Sequence, residues 1–350
     1  MTERNQSLDL LRGVAILLVL LVHCAQATTS IIPGLTWFAL EYGELGVQLF
    51  FIVSGYTMML TFGDRVDLAA ARSFYIRRIF RIVPLFWVAI VFYVSITKGE
   101  GVRFWAPDGL RASDVVLTLF FLQWSSVTAL NSVVPGGWSI AVEMQFYLLF
   151  PLIIYLFRRP NGPVFLYALV ALISAAAEFA AQRYLIPRLA LSLPANQAYL
   201  ADAFYYCWLP RQFVCFGLGI LLYQGIEHRN LSTLGVLLLI GGACLSSSWA
   251  AQIVVLSAIS FAVLALNVTA SVLALLGRHS YAIYLTHVAL ASAITTLVSV
   301  DLVPLFVLVT GGSLAVSYCV IEPLFERHFN RLGHVLAARA GRPKTVAPAA

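Results

Sequence analysis

Apolar stretches long enough to cross a lipid bilayer recur along this chain from residue 8 to residue 321. The first, LDLLRGVAILLVLLVHC at residues 8–24, sets the pattern. A spanning helix needs roughly 20 mostly apolar residues. Inside lipid every backbone polar group must be satisfied internally, which leaves helices and closed barrels. The runs do not alternate with a period of two, so a barrel is excluded. Only 11% of the 350 residues are charged, against about 25% in a soluble domain. The expected fold is all-α, a polytopic transmembrane bundle. The first run is too long for a secretory signal and is read as a retained span.

Ten spans are expected, at 8–28, 43–62, 82–97, 138–157, 163–182, 204–223, 231–248, 250–268, 280–298 and 302–321. With the N-terminus inside, sixteen of the 22 Lys and Arg residues fall on the cytoplasmic side; Lys98, Arg103, Arg111, Arg183, Arg188 and Arg211 fall on the other. That bias predicts both termini in the cytoplasm. Residues 114–127 are apolar but short, which favours a buried or interfacial segment; if they spanned, the count would be eleven. Residues 1–335 form the membrane domain, and the Ala-, Arg- and Pro-rich tail at 336–350 is expected to be disordered, with no appended soluble domain. No internal repeat supports an inverted-repeat transporter. The five cysteines (Cys24, Cys207, Cys215, Cys244, Cys319) are scattered and odd in number, so they read as packing residues, with no metal site.

Ionisable residues inside spans are expensive and usually face the bundle interior. Arg12 and His23 are eleven residues apart, an axial distance of about 16 Å, and eleven steps of about 100° bring them within roughly 20° of one face. Asp9 lies one turn before Arg12 on that stripe. Alone, Arg12 reads as a topology anchor and His23 as a packed histidine. In GGWSIAVEMQFYLLFP (136–151) Ser139, Glu143 and Tyr147 recur every four residues on one face. A carboxylate in lipid needs a partner. Glu143 and His23 lie at similar depth, so the expected partner is His23, whose imidazole it would orient as a general base. Cys24 points about 100° away from that stripe.

Other polar residues cluster as well. RSFYIRRIFRIVP (72–84) puts Arg77, Arg78 and Arg81 at the cytoplasmic entrance of a span. Arginine forks suit phosphate, although positive-inside charge or lipid headgroups would also account for them. GRHSYAIYLTH (277–287) places Ser280, Tyr284 and His287 on one face. Ser54-Gly55 in mid-span permits close helix contact. Arg211, near an outer end, either snorkels or meets an anionic or sugar substrate.

Taken in order, LDLLRG followed by ten residues and His23, VQLFFIVSGY, RRIFRIVP, WSIAVEMQFYLLFPL, SYAIYLTH and the closing IEPLFER resemble the integral-membrane O-acyltransferases of acyltransferase family 3. The resemblance runs from about Leu8 to Glu326, without the extra esterase-like domain some members carry. It implies transfer of an acyl group, commonly acetyl, from cytoplasmic acyl-coenzyme A to a hydroxyl of a carbohydrate or related acceptor. Arg12 and His23 match the family's arginine–histidine motif, Arg77, Arg78 and Arg81 its basic motif, and Glu143 its acidic position. The expected layout has the arginines on the donor's phosphates and His23 with Glu143 at the chemistry. Ser139, Tyr147, Arg211, Ser280, Tyr284 and His287 then support or contact substrate. Direct transfer and a transient acyl-histidine both stay open. The expected location is the bacterial cytoplasmic (inner) membrane, with the lipid bilayer, acyl-CoA and a carbohydrate or glycolipid acceptor as partners and no nucleic acid. A carrier or flippase of a lipid-linked saccharide is the alternative, and a membrane acyltransferase of another family is a third reading.

Overall fold

The computed structural model describes residues 5–29, 31–62, 67–102, 104–159, 162–228 and 248–340. Helix starts follow the local chemistry. In α1 (Gln6–Ala27) the Asn5 side chain accepts from the backbone N–H groups of Ser7 and Leu8 at 3.0 and 3.1 Å. In α4 (Leu68–Ile96) Asp67 accepts from Ala70 N–H at 2.7 Å. Both satisfy donors that a helix start leaves open. The remaining helices are α2 (Pro33–Tyr42), α3 (Leu45–Phe62), α5 (Ala112–Leu119), α6 (Gly137–Phe157), α7 (Gly162–Ala180), α8 (Ile186–Ser192), α9 (Tyr199–Tyr206), α10 (Leu209–Glu227), α11 (Ser248–Ala265), α12 (Ser271–Arg278), α13 (Ser280–Leu297), α14 (Leu302–Val316) and α15 (Arg327–Ala340). A wide-turn segment, Ser317–Glu326, joins the last two.

By length and composition seven stretches can cross a membrane: Gln6–Ala27, Leu45–Phe62, Leu68–Ile96, Gly137–Phe157, Ala168–Ser192, Ser280–Leu297 and Leu302–Ala340; Trp249–Ala265 is a shorter apolar helix. The protein is an integral membrane protein of helical architecture. Several expected boundaries move. The span expected at 82–97 begins at Leu68, because the arginine-rich stretch is itself helical behind the Asp67 cap and Pro84 is accommodated inside the helix. The helix expected from 204 starts at Leu209, after the separate α9. The last one continues past 321 through α15, so Leu336–Ala340, expected to be disordered, are helical. Nearly all of the expected span at 231–248 lies outside the described residues. Within 114–127, helix ends at Leu119; α5 has eight residues, about 12 Å of helix, too short to cross.

α1 is the hub, packed against α3, α12, α13 and α14. Its crossing with α12 is made by two glycines. A Cβ on Gly13 would lie 2.0 Å from the Leu273 carbonyl oxygen, and one on Gly277 only 1.8 Å from that of Asp9. The crossing of α3 and α10 repeats the device with Gly55 against Phe216 and Gly219 against Ile52. Small residues let backbones approach where lipid offers no hydrophobic drive between helices. The expected close contact at Ser54-Gly55 is therefore made with α10. These crossings fix the height and rotation of α1 and α3, and so aim Arg12, His23, Ser54 and Thr57.

Candidate active site

A cavity of about 1210 Å³ opens at the basic end of the bundle. Arg12, Arg77, Arg78, Arg81 and Arg278 line it, together with Asn330 and His334 of α15. It tapers into a chamber of about 100 Å³, with which it shares Arg12, Thr57, Arg78, Arg81, Ser280 and Tyr281. The cations are held in place rather than left loose. Arg12 donates to Asp9 at 3.2 Å and to the Thr57 hydroxyl at 2.7 Å. Arg78 donates to the Thr61 hydroxyl at 3.1 Å, and its guanidinium lies 5.0 Å from the Tyr147 ring centroid. Arg77 donates to Ser73 at 2.6 Å and reaches only the wide part of the cavity. Fixed guanidinium forks at the mouth of a cavity suit phosphate groups.

The chamber brings Ser139, Glu143 and Tyr147 of one expected face together with Ser280 and Tyr284 of the other, while His287 of that second face does not line it. It does not bring Glu143 to His23. The Glu143 carboxylate accepts from the Ser54 hydroxyl at 2.7 Å and from Tyr147 through a short bond. The expectation rested on depth, and depth does not fix rotation: Glu143 faces α3. Ser54 and Thr57 sit one turn apart on α3, the first holding Glu143 and the second Arg12. Thus Glu143 shares a chamber wall with Arg12, Arg78 and Arg81 and does not meet the imidazole.

His23 instead meets His287, with ring centroids 5.1 Å apart. Its Nδ1 lies 3.0 Å from the Gln26 amide oxygen, and His287 Nδ1 lies 2.7 Å from the Tyr284 carbonyl. The Tyr284 carbonyl only accepts, so a neutral His287 carries its proton on Nδ1 and presents its Nε2 lone pair, and the Gln26 amide oxygen favours the same tautomer for His23. His287 is 1% exposed, and its Nε2 has no hydrogen-bond partner among the described residues. Between the pair and the chamber stands Tyr284. Its hydroxyl is 2.8 Å from Ser139 Oγ and donates to the Gly136 carbonyl at 3.1 Å; its ring is 5.7 Å from His287. Gly136 allows this approach, since a Cβ there would lie 2.5 Å from the tyrosine oxygen and its φ is +80°.

Arg211 lies outside the chamber, among aromatic rings at the opposite end of α3 and α10. Sequence reading missed Gln26, Thr57 and the hydrogen-bonding role of Ser54. The i, i+3 spacing of Ser54 and Thr57 was the available signal. Nothing local marks Gln26 as the histidine's partner except its i, i+3 offset from His23.

The family pattern described as an acyltransferase domain matches residues 5–322. The chain belongs to acyltransferase family 3. It is an acyltransferase. Among curated relatives, the peptidoglycan O-acetyltransferase OatA of Listeria monocytogenes is 28% identical over 168 residues, 44% of this chain and 24% of the relative. The O-acetyltransferase OatA of Staphylococcus aureus is 30% identical over 180 residues, 48% of this chain and 28% of that protein. The matched segment thus spans about a quarter of each relative. No solved structure matches the chain.

Proposed function

We propose that this acyltransferase moves an acyl group, acetyl in the first instance, from acyl-coenzyme A to a hydroxyl of a carbohydrate or glycolipid acceptor. The reading is carried by one observation: an arginine-lined cavity tapers into a chamber walled by Tyr284, and against that tyrosine lies His287, with an unpartnered Nε2 and His23 beside it. The basic end faces the cytoplasm of a bacterial inner membrane, with both termini on that side, in keeping with the charge bias. Arg12, Arg77, Arg78 and Arg81 take the donor's phosphates. The flexible arm of the donor enters the chamber, and Tyr284 turns aside to admit the thioester to the histidines. His23 Nε2 takes the proton of the acceptor hydroxyl as its oxygen attacks the thioester carbonyl. The C–S bond then breaks, and the imidazolium returns its proton to the leaving thiolate. Gln26 holds the tautomer of His23 that this requires. Glu143 sets the charge balance of the arginines and anchors Tyr147 and Ser54.

The acetyl-transferring relatives support acetyl as donor group and a saccharide as acceptor class. The test is transfer from labelled acetyl-CoA in purified membranes. The His23→Ala variant should lose transfer by about 10²- to 10⁴-fold, the usual worth of a positioned base. Full transfer by that variant would overturn the assignment. A saccharide carrier, by contrast, would keep its activity after charge reversal at Arg77 and Arg78.

A further inference from the structure

The end of the bundle away from the arginines holds a second polar cluster that the transfer chemistry does not use. Gln48 and Gln212 are both 0% exposed. The Gln48 amide donates to the Tyr206 hydroxyl at 3.0 Å and to Gln212 Oε1 at 3.2 Å. Arg211 is caged by three rings: its guanidinium carbon lies 4.7 Å from the centroid of Tyr205, 5.2 Å from that of Tyr206 and 4.7 Å from that of Trp249. Within this cluster Gln48 Oε1, Arg211 Nε and Trp249 Nε1 are buried and have no hydrogen-bond partner among the described residues. Buried polar atoms are normally satisfied, and three orphans in one place ask for a ligand.

Their chemistry narrows that ligand. One orphan accepts and two donate, which matches neighbouring hydroxyls, each able to do both. The rings offer apolar faces for the C–H side of a sugar. The charge of Arg211 is already opposed by Glu44, in the turn before α3, and Glu178 accepts from Tyr205, one of the rings of the cage. An anionic ligand would find no unbalanced cation here, and Arg211 does not snorkel, because its Nε is enclosed.

We propose that Gln48, Arg211 and Trp249 form a binding subsite for an uncharged pyranose unit of the acceptor. Naming the ligand an acceptor rests on the acyl-transfer reading; the saccharide site itself does not. The subsite lies beside the chamber, through Tyr206 and Trp138, whose ring centroids are 5.6 Å apart. A chain held there would place a more distant hydroxyl toward the histidines.

The experiment is calorimetric titration of the detergent-purified full chain with tetra-N-acetylchitotetraose, maltotetraose and tetragalacturonate, with CoA titrated in parallel. At least one uncharged oligosaccharide should bind, about tenfold tighter than tetragalacturonate. Trp249→Phe and Gln48→Leu should each weaken it about fivefold, as for one lost hydrogen bond, with CoA affinity unchanged. Intact CoA affinity reports folding; if either variant loses it, Arg211→Lys is measured in its place, with the same weakening expected. Unchanged saccharide affinity in the variants, a preference for the uronate, or no saccharide binding by the wild type would each overturn the subsite. Loss of CoA binding by the wild type would instead strike the acyl-transfer reading and leave the saccharide result standing.

Discussion

The two ends of α1 solve opposite problems. Around Arg12 the charged side chains are held by hydrogen bonds: Asp9 and Thr57 hold its guanidinium, Thr61 holds Arg78, and Ser54 and Tyr147 hold Glu143. That end is wide, about 1210 Å³, and organised before anything binds. Around the His23–His287 pair hydrogen bonding stops short. Gln26 and the Tyr284 carbonyl take the Nδ1 protons, and the Nε2 of His287 is left bare. Binding a polyanion calls for fixed cations, whereas proton transfer calls for a lone pair that the protein itself does not occupy. On the proposed mechanism the difference gives recognition to one end and chemistry to the other.

Substitutions can break that contrast in order of effect. The largest change should come from Gly277→Val, which strikes both ends at once. A Cβ there meets the Asp9 carbonyl at 1.8 Å, so α1 must shift. Overpacking of this kind costs about 1–3 kcal/mol or more, and thermal unfolding of the purified protein should fall measurably with both donor binding and transfer lost. Next, Glu143→Gln should act at the arginine end. It removes the negative charge from the chamber wall that Arg78 and Arg81 share, and its signature is altered donor KM, not only kcat; a pure kcat effect would return Glu143 to the histidine. Arg78→Lys keeps the charge and removes the fork, so donor KM should rise about tenfold with kcat held. Smallest is Thr57→Val. It removes one acceptor from Arg12, worth about 1 kcal/mol, and should raise donor KM about fivefold in steady-state assays.

Much of this was legible in the sequence. The Arg12–His23 stripe and the Ser139–Glu143–Tyr147 face follow from helical period alone, and the chamber assembles the second face as expected. What was not legible is how the stripes turn toward one another. Residue counting gives depth along a helix axis. Rotation is set by the partner helix, here by the glycine crossings at Gly13, Gly277, Gly55 and Gly219. Those put α3 beside Glu143 and α13 beside His23, and so replaced the expected Glu143–His23 pair with a His23–His287 pair. Boundaries failed for a related reason. The arginines of α4 are expected at the entrance of a span starting at 82, yet capping by Asp67 starts the helix at Leu68 and carries them inside it, facing the cavity. The cluster around Arg211 joins residues 205–212 to Gln48 and Trp249, far away in sequence, and no local period could reveal it.

The division of labour along α1 is tested most directly by the CoA affinity of His23→Ala, measured by calorimetry beside its acetyl-transfer rate. The account predicts wild-type affinity, within about twofold, together with transfer lowered by at least about 10²-fold. A variant that loses donor affinity in proportion to its rate would contradict it, because His23 would then belong to donor recognition and not to the chemistry.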